Sequence, residues 1–405
     1  GAELIVTDLK SEEELRESLE LLKDFSNITY VLGAHRLEDF RGRDFILKAA
    51  GVPLDSPYIQ EAEQAGIPIK MSASWFMELS GLPVVGVTGT RGKSTTTHMV
   101  HSIMKAAGTP VLLGGNVRGV STLALLDDAT PEHYGLFELD SWQCQGFGGE
   151  KKSPHIAVFT TFMMDHMNYY KDDMELYLRD KASIFLYQES KDTLVIGSQC
   201  AQVIEDSYRD RMKGKRIIVN DEDFPSDWTL KIPGVHNRYN AGIARMVGHA
   251  LHIKDDAIKN ALESFNGVPG RLELIRETNG VSFYNDTTAT TPDATHVALQ
   301  ALGDNQKLIL IAGGASKGLD TTLLVEDIKK HVKNLLLLGG TGTDRIRALF
   351  PEASVFEDLQ SAVEASVDLA QPGDTVLLSP GFSSKGMFKN EYDRGDQFTA
   401  IVQQL

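Results

Sequence analysis

Cysteine is nearly absent: Cys144 and Cys200 are the only two in 405 residues. That excludes a disulfide framework and a cysteine-built zinc site, and it fits a reducing, cytoplasmic location. No apolar run approaches the roughly 20 residues a membrane span needs, and no signal-type segment opens the chain, so no membrane partner is expected. Positive charge is short as well: 40 Lys and Arg stand against 56 Asp and Glu, a formal net charge of −16. This argues against a nucleic acid or an acidic lipid surface as the main partner, while basic residues gathered locally still accommodate an anionic substrate. There is no short-period repeat and no low-complexity tract; an initiator Met is also missing, which fits a processed form or a fragment. What is present is the composition of a soluble globular chain too long for one core, so two or three domains are expected.

The chain is organised around Val84-Val85-Gly86-Val87-Thr88-Gly89-Thr90-Arg91-Gly92-Lys93-Ser94-Thr95. An apolar run breaks into glycines and then into a helical pattern with Val100, Ile103, Met104 and Ala107 on one face, stopped by Gly108 and Pro110. Strand, glycine loop and helix in that order make a phosphate cradle: Gly89 and Gly92 let backbone N–H groups approach oxygens, Lys93 supplies a point charge, and Ser94 can hold Mg²⁺. The spacing departs from the usual Walker form, which needs glycine at position 87, where this chain has Val.

The opening residues 3–8 read as a buried strand ending on Asp8, a ribose contact or a plain turn acid, and the Gly-rich turn expected to precede it is missing. A helix over Glu12 to Leu22 and a strand over Ile28 to Leu32 follow. Further on, Tyr134 to Glu138 is a strand with Glu138 and Asp140 at its exit, each a candidate Mg²⁺ ligand or a solvated strand end. Ile156 to Thr160 runs into Asp165-His166, a candidate metal or phosphate contact. Lys181, at helical spacing with Ile184 and Phe185, reads as a surface lysine. Asn237 or Asn240 caps the helix after Gly234, or touches a base. Residues 266–271 are the best domain boundary, and a second βα alternation follows, its strands exiting into polar loops that hold Asp286, Thr290, Lys317, Ser384 and Lys385.

Taken in order along nearly the whole chain, these motifs resemble the Mur ligases, most closely the branch that adds D-glutamate. The resemblance rests on Gly89 to Ser94, Glu138 to Gln143, Asp165-His166-Met167, His236-Asn237 with Asn240, Gly270-Arg271, Asn285-Asp286, and Leu378 through Phe388-Lys389-Asn390 to Arg394-Gly395-Asp396. It implies an α/β fold in three domains. These are a truncated Rossmann-like domain for the UDP moiety over residues 1–79, a central P-loop ATPase over 80–270, and a Rossmann-like amino-acid domain over 271–405. It implies ATP and two Mg²⁺ sites, UDP-N-acetylmuramoyl-L-alanine and D-glutamate as substrates, and a monomer. It further implies that Gly89, Thr90, Arg91, Gly92, Lys93, Ser94, Thr95, Asn240, Arg271 and Asp286 hold the nucleotide, and that Ser94, Glu138 and His166 hold metal. Lys93, Glu138, His166 and Lys181 carry catalysis, with Lys181 expected as a carbamate, which replaces the surface-lysine reading. Asp8, Asn116, Thr290, Lys317, Ser384 and Lys385 are implied on the substrate side.

The chain departs from that family at several places. Thr288 stands where a lysine is usual, Glu391 where an aromatic is, Gly270 where a histidine is common, and Asp140 where a serine is. Lys385 is the nearest replacement for the missing cation. A Mur-type ligase for another amino acid, such as a folylpolyglutamate synthase-like enzyme, and a nucleotide-binding homologue without ligase activity are the alternatives.

Overall fold

The computed structural model describes residues 2–303 and 306–405; the side chains of Met167 and Asn168 lie outside the described residues. The chain packs as two units, Gly1–Thr90 with Pro110–Leu194 and Gln199–Arg216, and Arg91–Thr109 with Val195–Ser198 and Ile217–Leu405.

The first unit opens with two parallel strands, β1 (Leu4–Asp8) and β2 (Ile28–Leu32), joined through α1 (Arg16–Leu22). The expected buried strand is not buried: Leu4 and Val6 are exposed, because a two-stranded pair covers neither face. The helix starts at Arg16 rather than Glu12; the residues before it form a turn in which the Ser11 amide and hydroxyl both donate to the Glu14 carboxylate. A second parallel pair, β3 (Ile46–Leu47) and β4 (Ile69–Lys70), flanks α2 (Pro57–Gln64), which starts on a proline free of any amide obligation. Then α3 (Ser72–Ser80) ends on Gly81 in the left-handed conformation.

The next sheet contains β5 (Val84–Thr88), then, beyond α4 (Lys93–Ala106), β6 (Val111–Gly115), β7 (Tyr134–Glu138), β8 (Ile156–Phe159), β9 (Thr193–Gly197) and β10 (Lys215–Val219), in the order β10-β9-β8-β5-β7-β6. Every residue of β5 is buried, with β7 and β8 parallel on its two sides; Val87 faces Glu138 and Thr88 faces Phe159. Three strand exits therefore share one sheet edge, the place where open parallel sheets hold ligands. After β7 come the helices α5 (Ser141–Glu150), α6 (Met167–Tyr170), α7 (Met174–Ala182) and α8 (Ser198–Tyr208). The surface-lysine reading fails here: Lys181 is 1% exposed, on the inward face of α7 beside Tyr177 and Leu178. That helix ends at Ala182, so Ile184 and Phe185 pack from the turns after it.

In the second unit α4 packs on α9 (Val235–Ala250) and α10 (Asp255–Ser264), where Gly248 lets Ile258 and Ile103 close in. Neither asparagine caps α9. Gly234 holds the capping place at φ +100°, the Asn237 amide donates to the Pro233 carbonyl (2.6 Å), and Asn240 is buried within the helix.

The C-terminal sheet runs β11-β12-β16-β13-β14-β15, comprising β11 (Glu273–Thr278), β12 (Val281–Asn285), β13 (Leu308–Gly313), β14 (Val332–Leu338), β15 (Ser354–Phe356) and β16 (Thr375–Leu378). Asn279 and Gly280, both at positive φ, make the two-residue turn that reverses β11 against β12; the hairpin is absent from the sequence reading. The other pairs are parallel. Alternation along β13 fills two cores: Leu308 and Leu310 face α11 (Pro292–Leu302), α12 (Thr322–His331) and α13 (Thr341–Arg347). Ile309 and Ile311 face α14 (Leu359–Leu369) and α15 (Glu391–Gln404). Helices on both faces make this a doubly wound domain, as expected.

Candidate active site

At the exit of β5 the chain turns through Gly89, whose φ of +143° and approach to Thr160 leave no room for a side chain; a Cβ there would sit 2.0 Å from the Thr160 hydroxyl. The Lys181 ammonium reaches this turn, donating to the Gly89 carbonyl (2.9 Å) and the Thr88 hydroxyl (3.3 Å) over the Tyr177 ring. Thr90 is fixed by the Met163 backbone on both sides of its hydroxyl (3.0 and 3.1 Å), with the Tyr177 hydroxyl at 3.3 Å. Glu138 is 4% exposed, and the Asn116 amide donates to its carbonyl (2.7 Å), so these two predicted residues meet. Asp140 is taken up in structure: its carboxylate accepts from the Gln143 amide (2.7 Å) and caps α5 in a reciprocal box. His166, at φ +56°, lies against the Trp142 ring with centroids 4.8 Å apart. The Trp142 indole N–H is buried without a hydrogen-bond partner, an open donor beside that imidazole.

In the second unit Gly92, at φ +85°, stands at the head of α4 with no side-chain cap on that helix. The Asn240 side chain occupies the space a Cβ on Gly92 would need, its oxygen 2.4 Å from that position, so a bare glycine lets α9 close on the loop. A 14-residue helix that opens on Gly92, which carries no capping side chain, and whose first two residues are Lys93 and Ser94 fits an oxyanion. Among the described residues no three His, Cys, Asp or Glu side chains gather as a metal cage. The Glu138 carboxylate is an oxygen donor of the kind that could hold Mg²⁺, which takes one or two carboxylates together with phosphates and waters.

The C-terminal loops bring their predicted residues together. The Lys317 ammonium donates to the Thr290 hydroxyl (2.8 Å), and backbone pairs between Ala315 and Ser383 and from Gly381 to Ala289 place the Ser384 loop alongside. Lys385 is exposed at its rim. Asp286, just past β12, accepts from the Leu272 amide (3.1 Å) and the Ser379 hydroxyl (2.7 Å), and burial pushes its carboxyl up to about 7, against the pull of Ser379 and of Arg271. Thr288 does no cation's work; its amide and hydroxyl both donate to the Gly270 carbonyl (3.1 and 2.9 Å). One Asp8 carboxylate oxygen accepts from the Lys10 amide (2.8 Å).

Two residues stand outside the implied site set, Tyr177 and Arg394, the second although it lies in a motif that carries the resemblance. Tyr177 follows from nothing but its burial on α7. Arg394 is wholly buried, and its guanidinium donates to the Thr287 hydroxyl (3.1 Å) and carbonyl (2.9 Å) and toward the Phe382 carbonyl (3.4 Å), behind both C-terminal loops. Its signal was the charge kept inside an amphipathic helix, in Arg394-Gly395-Asp396.

The family model described as the Mur ligase middle domain matches residues 87–248, and that of the Mur ligase glutamate ligase domain matches residues 270–382. The UDP-N-acetylmuramoylalanine–D-glutamate ligase of Roseiflexus sp. (strain RS-1) is 34% identical over 445 residues, covering 100% of this chain and 93% of the relative. The ligase of the same name from Borreliella burgdorferi (strain ZS7) is 33% identical over 432 residues, with the same coverage. Among solved structures, the MurF ligase of Thermotoga maritima in complex with ADP superposes with a TM-score of 0.62 at 17% identity, covering 90% of this chain and 98% of that one, a likeness of fold. Full-length identity of this order, two matched domains and a doubly wound architecture agree: the chain belongs to the Mur ligase family.

Proposed function

We propose that this chain is an ATP-dependent ligase that joins D-glutamate to UDP-N-acetylmuramoyl-L-alanine in peptidoglycan precursor synthesis, working as a cytoplasmic monomer. The observation that carries the reading is the 34% identity to a ligase of that name across the whole chain. In this reading residues 1–79 hold the UDP moiety, 80–270 the ATP and 271–405 the amino acid.

The alanine carboxylate attacks the γ-phosphorus of ATP, the bond to the β-phosphate oxygen breaks, and ADP leaves. The D-glutamate amine then attacks the acyl carbon, phosphate departs with the electron pair, and the nitrogen loses a proton. Both steps bring anions together, so the protein's part is positioning and charge neutralisation. Gly89, Thr90, Arg91, Gly92 and Thr95 shape the phosphate cradle and Lys93 supplies its charge. Asn240, Arg271 and Asp286 meet the rest of the nucleotide. Asp8 and Asn116 act on the nucleotide-sugar side; Thr290, Lys317, Ser384 and Lys385 hold the amino acid, Lys317 as partner for one carboxylate. Ser94 would hold one Mg²⁺, and Glu138 with His166 the other; the ions supply neutralisation of the phosphate oxygens. Lys181 as a carbamate keeps one N–H, enough for one of its two present hydrogen bonds, and turns an oxygen pair toward the site.

The test is phosphate release from ATP with UDP-N-acetylmuramoyl-L-alanine, comparing D-glutamate, L-glutamate and other amino acids. Release that needs both the nucleotide sugar and D-glutamate, with the amide seen by mass, is expected. Release with another amino acid moves the substrate, and none with any overturns the ligase reading.

A further inference from the structure

The loop 49–52 follows β3 at its carboxyl end, the end of a parallel strand where ligands are met. Lys48 lies beneath this loop, 4% exposed. Its ammonium donates to the carbonyls of Val52 (2.8 Å), Ala49 and Ala50 (3.3 Å each), and the Gln145 side-chain oxygen stands at 3.5 Å. Gln145 in turn donates to the Asp180 carboxylate (2.8 Å) and the Tyr169 hydroxyl (3.1 Å), and the Tyr170 hydroxyl donates to the same Asp180 oxygen (3.1 Å). The next residue along α7 is Lys181, on the Gly89 carbonyl. A continuous polar row thus joins the 49–52 loop to the turn after β5.

Packing alone does not call for an ammonium here. A methionine fills nearly the same volume and needs no partners, whereas burial draws the Lys48 amine down to about 8, against the pull of Asp140 and Asp180. The same burial pushes the Asp180 carboxyl up, opposed by Gln145 and Tyr170. A charge kept at such expense is kept for where it holds the chain. Beside it opens a cavity of about 330 Å³ lined by Lys48, Gln145, Asp180, Arg179, Arg211 and Met71, wide enough for a small amine to reach the site.

We propose that Lys48 is a positioning residue whose ammonium fastens the 49–52 loop to the Gln145–Asp180 pair, so that the seating of the nucleotide-sugar substrate and the placement of Lys181 are set together. The naming of that substrate rests on the ligase reading above; the coupling does not. Neither Lys48 nor Gln145 touches the reacting atoms in this account.

Two measurements on the full chain test it. In the ligand-free protein, Lys48→Met speeds amide hydrogen exchange about tenfold both in the 49–52 loop and around Asp180–Ala182, relative to the exposed-lysine control Lys10→Met. Faster exchange in the loop alone, or in neither segment, overturns the coupling. In turnover, Lys48→Ala raises KM for UDP-N-acetylmuramoyl-L-alanine about tenfold and leaves KM for ATP within about twofold, and added propylammonium recovers a good part of the loss. A fall in kcat with both KM values unchanged and no rescue overturns the positioning role. Should Lys48→Met fail to fold by circular dichroism, Gln145→Leu, which keeps the lysine and cuts the row, takes its place with the same exchange pattern expected. If the unaltered chain makes no amide product, the ligase reading fails, and the exchange measurement still decides the role of Lys48.

Discussion

The exits of the two large sheets hold their charge in opposite ways. Around β5 and β7 the polar groups are buried, and two are fastened to backbone, Lys181 on the Gly89 carbonyl and Thr90 between two atoms of Met163, with Glu138 buried at the end of β7. At the C-terminal sheet Lys317 and Lys385 stand exposed, and the buried cation, Arg394, lies behind the loops and holds them by Thr287 and Phe382. The first arrangement suits phosphoryl transfer, where dipoles fixed beforehand need no reorganisation as charge develops. The second suits capture of a small amino acid from water, with solvated cations on a stiff support.

If that contrast is right, the deepest loss comes from the fastened side. Lys181→Met should lower kcat/KM about 1,000-fold by phosphate release, since it strips the β5 turn of a buried donor; a loss under about tenfold would remove the contrast. On the exposed side Lys385→Ala should lower turnover about 100-fold, if this cation of the Ser384 loop replaces the lysine absent at Thr288, while Lys330→Ala on α12 stays within about twofold. A near-normal rate for Lys385→Ala would leave the C-terminal site with Lys317 as its working lysine. Arg394→Met should raise KM for D-glutamate about tenfold with a smaller change in kcat, and destabilise the chain by about 1–3 kcal/mol through orphaned carbonyls. Equal losses in kcat and KM would mean that Arg394 does more than brace the loops.

Much of this layout was legible in the chain because each strand exit is marked by glycine and a polar residue, and the alternation of apolar runs sets the sheet. The β5 loop, Glu138 and the Lys317 loop lie where those marks put them. What stayed hidden depends on contacts between segments far apart in sequence. Lys181 has the spacing of a surface lysine, and only the packing of α7 on the β5 turn shows it is buried. Asp140 carries the residue type of a metal ligand and spends its oxygen on the Gln143 amide, a cap that the Asp-x-x-Gln spacing already allowed. The β11 hairpin rests on Asn279-Gly280, an Asn-Gly pair of the kind that makes two-residue turns, which the sequence reading does not use.

The two sheets also carry one buried carboxylate each near a strand exit, Glu138 and Asp286, and the second gives the finest test. Burial raises Asp286 from its ordinary 3.8 to about 7. Below about pH 3 the carboxyl is protonated in folded and unfolded chains alike, and its contribution to stability is fully present. As pH rises toward 7 the unfolded chain releases the proton first, so stability falls by up to about 1.4 kcal/mol per pH unit and levels off above the folded value. With the proton on, Asp286 donates to Ser379 and Ser379 donates to Thr295, 2.9 Å away, so one hydroxyl proton is not asked to serve two acceptors. Asparagine presents the same donor without titrating. Asp286→Asn in the ligand-free chain should therefore match the parent near pH 3 and exceed it by about 4 kcal/mol at pH 8 in thermal melts. A constant difference across that range would show that Asp286 is ionised throughout, and that the C-terminal exit, like the β5 turn, holds its charge fastened in place.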